Sequence, residues 1–285
     1  MLQQTSEQVI ESQRQDWNRV ASGWEKCDEF FGRQMAWINH RLIGDARLRP
    51  GQRVLDLGSG TGYPALLAAS TVGSSGTVIG IDLAEQMLAA AERKAKGLGL
   101  ANVRFQTGDV TELLFERDSF DAVTTRFCLM FLPDIPKAVA GIIRILKPGG
   151  WLAAAVWSAP DKNPYLRIPM DEIKQFIELP PPDPTDPGIF RLAKPGELAA
   201  LLQQGGFTDV ADHELQGDVQ FAAADEYFAS LMDIAAPLQN LWAKLSSSQQ
   251  IEAKQRIIRT AGAHRRGPSI ALPIAVRMVA ARKPI

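Results

Sequence analysis

The chain is 285 residues long and 46% hydrophobic, with 31 basic against 32 acidic residues, enough for one large α/β domain or a core with an appendage. Near-neutral charge argues against a nucleic-acid binder built on a large basic patch, and two separated cysteines, Cys27 and Cys128, read as reduced thiols rather than a disulfide or metal site. No apolar run approaches the ~18 residues of a membrane span and Met1 to Gln15 carries no signal-peptide core, so a cytoplasmic protein is expected.

In chain order, residues 1–50 read as an N-terminal helical cap carrying Trp17, Val20, Trp24, Phe30 and Phe31. Residues 51–217 read as an α/β core, because short apolar runs alternate with helix-length segments, the pattern of a parallel sheet with crossover helices. Strands are predicted over 53–57, 78–82, 103–107, 120–124 and 151–157, with helices near 64–72, 84–96, 134–145 and 195–204. Gly149-Gly150 and Gly205-Gly206 punctuate the ends of helices. Pro180-Pro181-Pro182-Asp183-Pro184 is expected as a stiff surface loop. Residues 218–267 read as a helical insertion with Phe221, Tyr227, Phe228, Leu231 and Trp242, expected to lid an acceptor pocket. Residues 268–285 return to the core as a strand on which Ile274, Val276, Met278 and Ala280 alternate.

The most telling stretch is Val54 to Gly62, a buried strand that runs into Gly58-Ser59-Gly60-Thr61-Gly62. Alternate glycines leave no side chain between the backbone and a ligand lying on the turn. Asp82 closes the next apolar run, where a carboxylate can accept hydrogen bonds from both hydroxyls of a ribose. Together they point to a nucleoside-bearing cofactor. A dinucleotide loop has the spacing G-x-G-x-x-G, which brings a pyrophosphate to the helix N-terminus. Here the spacing is G-x-G-x-G and the bulky Tyr63 follows, which disfavours NAD and FAD.

With Val54 to Gly62, Gly80 to Met87, Gly108-Asp109-Val110, Phe120 to Thr124 and Leu146-Lys147-Pro148-Gly149-Gly150 in this order, the chain resembles the class I S-adenosylmethionine-dependent methyltransferases. Within them it is similar to the small-molecule branch that includes the ubiquinone/menaquinone C-methyltransferases, over roughly residues 15–157. The resemblance implies an α/β fold with a Rossmann-like, seven-stranded, mostly parallel sheet, helices on both faces, and N-terminal and inserted helical lids. It implies S-adenosyl-L-methionine as cofactor and methyl transfer to the O, N or C atom of a small, apolar or aromatic metabolite. The weighed alternatives are a non-catalytic cofactor-binding scaffold and a NAD-dependent oxidoreductase.

The resemblance also assigns roles. Gly58, Ser59, Gly60 and Gly62 would surround the methionine part and ribose, and Asp82 would hold the ribose. Asp56 would reach the cofactor's amino group or cap the glycine loop. Leu83 and Met87 would pack near the adenine, Met87 alternatively being core, with Gly108, Asp109 and Val110 around its exocyclic amine. Arg126 would hold an anionic acceptor, the cofactor carboxylate or a structural partner. Trp24 stands where the quinone enzymes often carry a tyrosine, which leaves cation–π attraction to the sulfonium or lid packing. Among His40, His213 and His264, His40 is the best-placed candidate base. Arg126-Phe127-Cys128-Leu129 is not the tetrad of amino-methyltransferases acting on flipped bases, and no metal is expected.

Overall fold

The computed structural model describes residues 5–178, 183 and 186–285, so the proline-rich stretch 180–184 lies outside the described residues apart from Asp183. Helices α1 (Ser6–Gln34) and α2 (Ala36–Asp45) lead into β1 (Arg53–Leu57), α3 (Ala65–Val72), β2 (Thr77–Asp82), α4 (Glu85–Gly97) and β3 (Val103–Thr107). Then come β4 (Phe120–Arg126), α5 (Ile135–Ile145), β5 (Leu146–Trp157), α6 (Pro164–Ile173) and α7 (Glu197–Gln204). The chain closes with β6 (Thr208–Phe221), α8 (Ala224–Ile234), α9 (Ala236–Trp242), α10 (Ser247–Gly262), β7 (Arg265–Arg266) and β8 (Ser269–Arg282).

These strands form one sheet in the order β3-β2-β1-β4-β5-β8-β6. Strands β1 to β5 pair in parallel, while β8 lies antiparallel between β5 and β6. The expected seven strands are therefore this path, and β7, a two-residue strand folded onto the start of β8, makes an eighth. Successive side chains of a strand point to opposite faces. Accordingly Val54 and Val78 pack in one apolar cluster with Leu66, Leu88 and Phe105, while Leu55, Leu57, Ile79 and Ile81 belong to the larger cluster. Both faces are covered, as a parallel sheet requires.

The predicted boundary of the insertion is corrected. Residues 218–221 belong to β6, where Val219 pairs with Leu272 and Phe221 with Ile270. Their period-two burial, with Val219 and Phe221 inward, is that of a strand. The helical part is α8 to α10. No helix among the described residues is long and apolar enough to cross a membrane.

The chain leaves β1 for β2 on one side, and β4 then pairs with β1 on the other. This reversal of strand order opens a crevice at the carboxyl ends of β1 and β4, the place where open α/β sheets bind ligands.

Candidate functional site

The loop after β1 turns sharply, with Gly58 at φ +66 and Gly60 at φ +51. A Cβ on Gly58 would come within 2.6 Å of the Cys128 Cβ, so glycine there lets the loops after β1 and β4 touch. A Cβ on Gly60 would meet no atom within 4 Å; it would stand in the cavity that this residue lines. The Asp82 carboxylate fixes the turn by accepting the Gly60 N–H at 2.8 Å and the Ala84 N–H at 2.9 Å. Each carboxylate oxygen keeps acceptor capacity beyond one such bond. Burial pushes the Asp82 carboxyl above its ordinary range, against the pull of those N–H groups.

Asp56, on β1, lies fully buried beneath the loop. It accepts the Ser59 hydroxyl at 2.7 Å and the Thr124 hydroxyl at 2.7 Å. Burial pushes its carboxyl up to about 6, while those two hydroxyls pull the other way. At the end of β3, Asp109 accepts the Thr111 N–H at 2.7 Å.

Helix α1 covers the opening. Ile10, Gln13, Trp17 and Trp24 face the cavity, a helical spacing that puts them on one side of α1. The Gln13 side chain donates to the Phe131 carbonyl at 2.8 Å, and the Trp17 and Phe131 rings meet edge-on at 5.6 Å. Farther along, Asn18 and Arg14 bind Glu85 at the start of α4, and Glu25 pairs with Arg93 at 2.8 Å. Asp28 accepts both the Lys94 ammonium and, at 3.0 Å, the Thr61 hydroxyl. Lys94 also donates to the Thr61 carbonyl at 2.7 Å, so this cluster ties α1, α4 and the glycine loop together.

The helical insertion stands behind α1. The Trp24 indole N–H donates to the Ile234 carbonyl at 3.1 Å, and Lys26 pairs with Asp233 at 2.7 Å. A Cβ on Gly23 would fall 1.9 Å from the Asp233 carbonyl oxygen, so α1 and α8 touch through backbone. No residue of 218–267 lines the cavity. The insertion meets the site through α1 and does not form a wall of it, because its apolar side chains, such as Phe228, Leu231 and Leu238, are used in packing.

After β4, the Arg126 Nη1 donates to the Asn39 side-chain carbonyl at 2.9 Å, and the Nε is buried with no partner. No carboxylate lies within ion-pair distance of this guanidinium among the described residues, and burial lowers its affinity for the proton. Phe127 holds a left-handed backbone at φ +57, uncommon for a residue with a Cβ. Its ring stacks on Trp157 at 4.0 Å with the planes 3° apart. Burial raises the Cys128 thiol well above its ordinary value and raises the Tyr63 phenol, so neither group supplies a base or nucleophile at neutral pH.

Among the predicted residues, Gly58, Ser59, Gly60 and Asp82 line this cavity with Leu83 and Met87. Gly108, Asp109, Val110, Arg126 and Trp24 line it too. Asp56 lies beneath the loop, and Gly62 packs it against Leu66 and Ala91. His40 is corrected: it is exposed on α2 and does not reach the cavity, since the inward side of α2 is taken by Ile38, Asn39 and Leu42. His213 and His264 do not line it either. Sequence reasoning passed over Ile10, Gln13, Tyr63, Phe131 and Pro133 as lining residues. The spacing of Ile10 and Gln13 to Trp17 was the available signal for the first two.

The residues fit S-adenosylmethionine. The cavity wall combines glycine-loop backbone and two carboxylates with apolar and aromatic side chains, the mixed lining of small-molecule sites. A bare backbone edge at Gly60 lies between acceptor carboxylates at Asp82 and Asp109 and the cation at Arg126. Comparison with known proteins agrees. Residues 48–177 match the methyltransferase-domain family. A nocamycin O-methyltransferase of Saccharothrix syringae is 28% identical over 277 residues, 93% of this chain and 96% of the relative. The ubiquinone/menaquinone biosynthesis C-methyltransferase of Vibrio campbellii is 40% identical over 135 residues, 45% of this chain and 52% of the relative, so the alignment spans about half of that enzyme. The solved [4+2]-cyclase SpnF shares the fold, with a TM-score of 0.63 at 20% identity over 99% of this chain and 98% of that one. Residues 48–177 carry the methyltransferase domain, and the chain resembles the S-adenosylmethionine-dependent methyltransferases, the quinone C-methyltransferases among them.

Proposed function

We propose that this enzyme methylates a small, largely apolar or aromatic acceptor in the chamber between the glycine loop and α1. The observation that carries the proposal is the set of aromatic walls on one cavity: Trp17 and Trp24 from α1, with Phe127 and Phe131 from the loop after β4. Near-neutral charge favours a small molecule over a nucleic acid as the acceptor, and two separated free cysteines accord with a cytoplasmic location.

The proposed roles follow from position. The Asp82 carboxylate, anchored by the Gly60 and Ala84 N–H groups, accepts the ribose hydroxyls with its remaining lone pairs. Asp109, at the neighbouring strand end, meets the adenine amine, with Leu83, Met87 and Val110 as apolar walls. Gly58, Ser59 and Gly60 lie along the methionine part. Asp56 acts from below, its charge close to the loop. Helix α1 is the lid and the insertion its buttress. Bound S-adenosylmethionine supplies a methyl group on a sulfonium, already activated for displacement. What the chain contributes is orientation and exclusion of water, and orientation alone supplies on the order of 7–11 kcal/mol in well-aligned reactions.

Calorimetric titration with S-adenosylmethionine, S-adenosylhomocysteine and NAD in parallel tests the reading. Binding of both sulfur ligands and none of NAD is expected, followed by release of S-adenosylhomocysteine in a screen of acceptors. A folded sample that binds neither sulfur ligand overturns the assignment; tight binding without turnover on any acceptor leaves the scaffold role.

A further inference from the structure

We infer that Arg126 receives an acceptor that is already an oxyanion, a carboxylate or an enolate, and that the reaction is O-methylation without a general base. The inference rests on the methyltransferase reading and narrows its substrate class.

Topology places Arg126 beyond the nucleoside end. The carboxyl ends of the strands lie in the order β3, β2, β1, β4, with neighbouring strands ~4.8 Å apart. Asp109 and Asp82 follow β3 and β2, the glycine loop follows β1, and Arg126 ends β4. The Arg126 main chain is thus two strands from that of Asp82, ~10 Å, on the side where Phe127 and Trp157 stack.

The charge there has no carboxylate in ion-pair contact among the described residues, Asp56 and Asp28 acting on it only from farther off. Arg126 makes one hydrogen bond, to a neutral amide, and its Nε is buried without a partner. A buried charge is costly unless paired and hydrogen-bonded, and a planar guanidinium matches the two-oxygen edge of a carboxylate or a β-dicarbonyl enolate. Asn39 helps to aim it by holding Nη1.

The missing base points the same way. The ionisable groups on the cavity wall are Asp82, Asp109, Tyr63, Cys128 and Arg126. Both acids hold backbone N–H groups, and no histidine lines the wall. A neutral alcohol or amine-type cation would need its proton removed here, and nothing is placed to take it. An oxyanion needs no such step. Its lone pair forms the O–CH₃ bond as the S–CH₃ bond breaks, the bonding pair stays on sulfur as a neutral thioether, and no proton is released.

The test uses the full chain with S-adenosylhomocysteine bound. Three probes are titrated: 2-naphthoate, the enolate of 2-acetylcyclohexane-1,3-dione at neutral pH, and neutral 2-naphthamide. At least one anion is expected to bind tenfold or more tightly than the amide, and which one does separates carboxylate from enolate. Arg126→Met should abolish that preference with amide binding unchanged, and Arg126→Lys should restore part of it. Equal binding of anions and amide by the unaltered protein overturns the proposal. So does an Arg126→Met variant, folded by its melting transition, that loses affinity for S-adenosylhomocysteine but not for 5′-methylthioadenosine, which lacks the carboxylate; the arginine would then hold the cofactor. Failure of the unaltered chain to bind S-adenosylhomocysteine would instead sink the methyltransferase reading itself.

Discussion

Asp56→Asn isolates the cost of keeping a carboxylate under the glycine loop. Asp56 is fully buried and its carboxyl is pushed up to about 6 from an ordinary 3.8, chiefly by burial. The folded-state value lies above the unfolded one, so between the two the native state holds the proton more tightly. Stability therefore falls as pH rises through that window, and the full penalty is present above about 6. At about 1.36 kcal/mol for each pH unit between the two values, the penalty comes to about 3 kcal/mol. Asparagine has no proton to lose and stays neutral throughout. It can keep one acceptor bond, from the Thr124 hydroxyl, while the Ser59 hydroxyl retains the Asp56 main-chain carbonyl at 3.2 Å. The offset at pH 4 is therefore about the ~1 kcal/mol of one hydrogen bond. Urea unfolding of both proteins at pH 4, 5, 6 and 7.5 should show the variant gaining 2–3 kcal/mol on the unaltered chain, about the penalty expected from linkage. Two pH–stability curves that stay parallel would refute the argument, since the carboxyl would then titrate at its ordinary value.

Asp82→Asn should weaken S-adenosylhomocysteine binding by about 1.5–3 kcal/mol, the scale of a hydrogen bond to a charged group; titration at neutral pH checks it, and unchanged affinity removes the ribose role. Asparagine is preferred to alanine because Asp82 also holds the Gly60 and Ala84 N–H groups. Gly60→Ala puts a methyl group where no atom lies within 4 Å, at φ +51; it should fold with about 1–2 kcal/mol of backbone strain yet lose the cofactor at least tenfold (about 1.4 kcal/mol). Normal binding would make the loop merely structural. Gly23→Ala collides with the Asp233 carbonyl and should lower stability by about 1–3 kcal/mol through overpacking. Gly44→Ala, on α2 with no neighbour within 4 Å of its Cβ, should raise stability by about 0.5–1 kcal/mol. Melting both variants beside the parent tests whether the α1–α8 contact is as close as described.

The parts of this enzyme that were legible in its sequence are those set by local chemistry. Gly58 and Gly60 announce a loop that must turn through positive φ and stay bare, and Asp82 ends a strand just where its side chain can reach that loop. The strands around them announce themselves because a buried parallel strand is a short apolar run between turns. Where the outcome depended on what a face meets, the signal failed. Tyr227, Phe228 and Leu231 have the same helical spacing whether they wall a cavity or pack behind α1, so the insertion was expected as a lid. The one residue that reports the contact is Gly23, a glycine in mid-helix, whose missing Cβ makes sense only once the Asp233 carbonyl is seen against it.

His40 and Arg126 make the same point about charge. Both stood beside plausible chemistry in the sequence, and periodicity said nothing about which would face inward. On α2 the inward positions go to Ile38, Asn39 and Leu42, so His40 is left in solvent while its neighbour Asn39 reaches the Arg126 guanidinium. On β4 the alternation that buries Thr124 against Asp56 carries the chain to Arg126 at the strand's carboxyl end. There the side chain lines the cavity with no carboxylate in ion-pair contact among the described residues. The helix as folded offers an amide that aims a cation, which accords with the proposed acceptor that arrives without its proton.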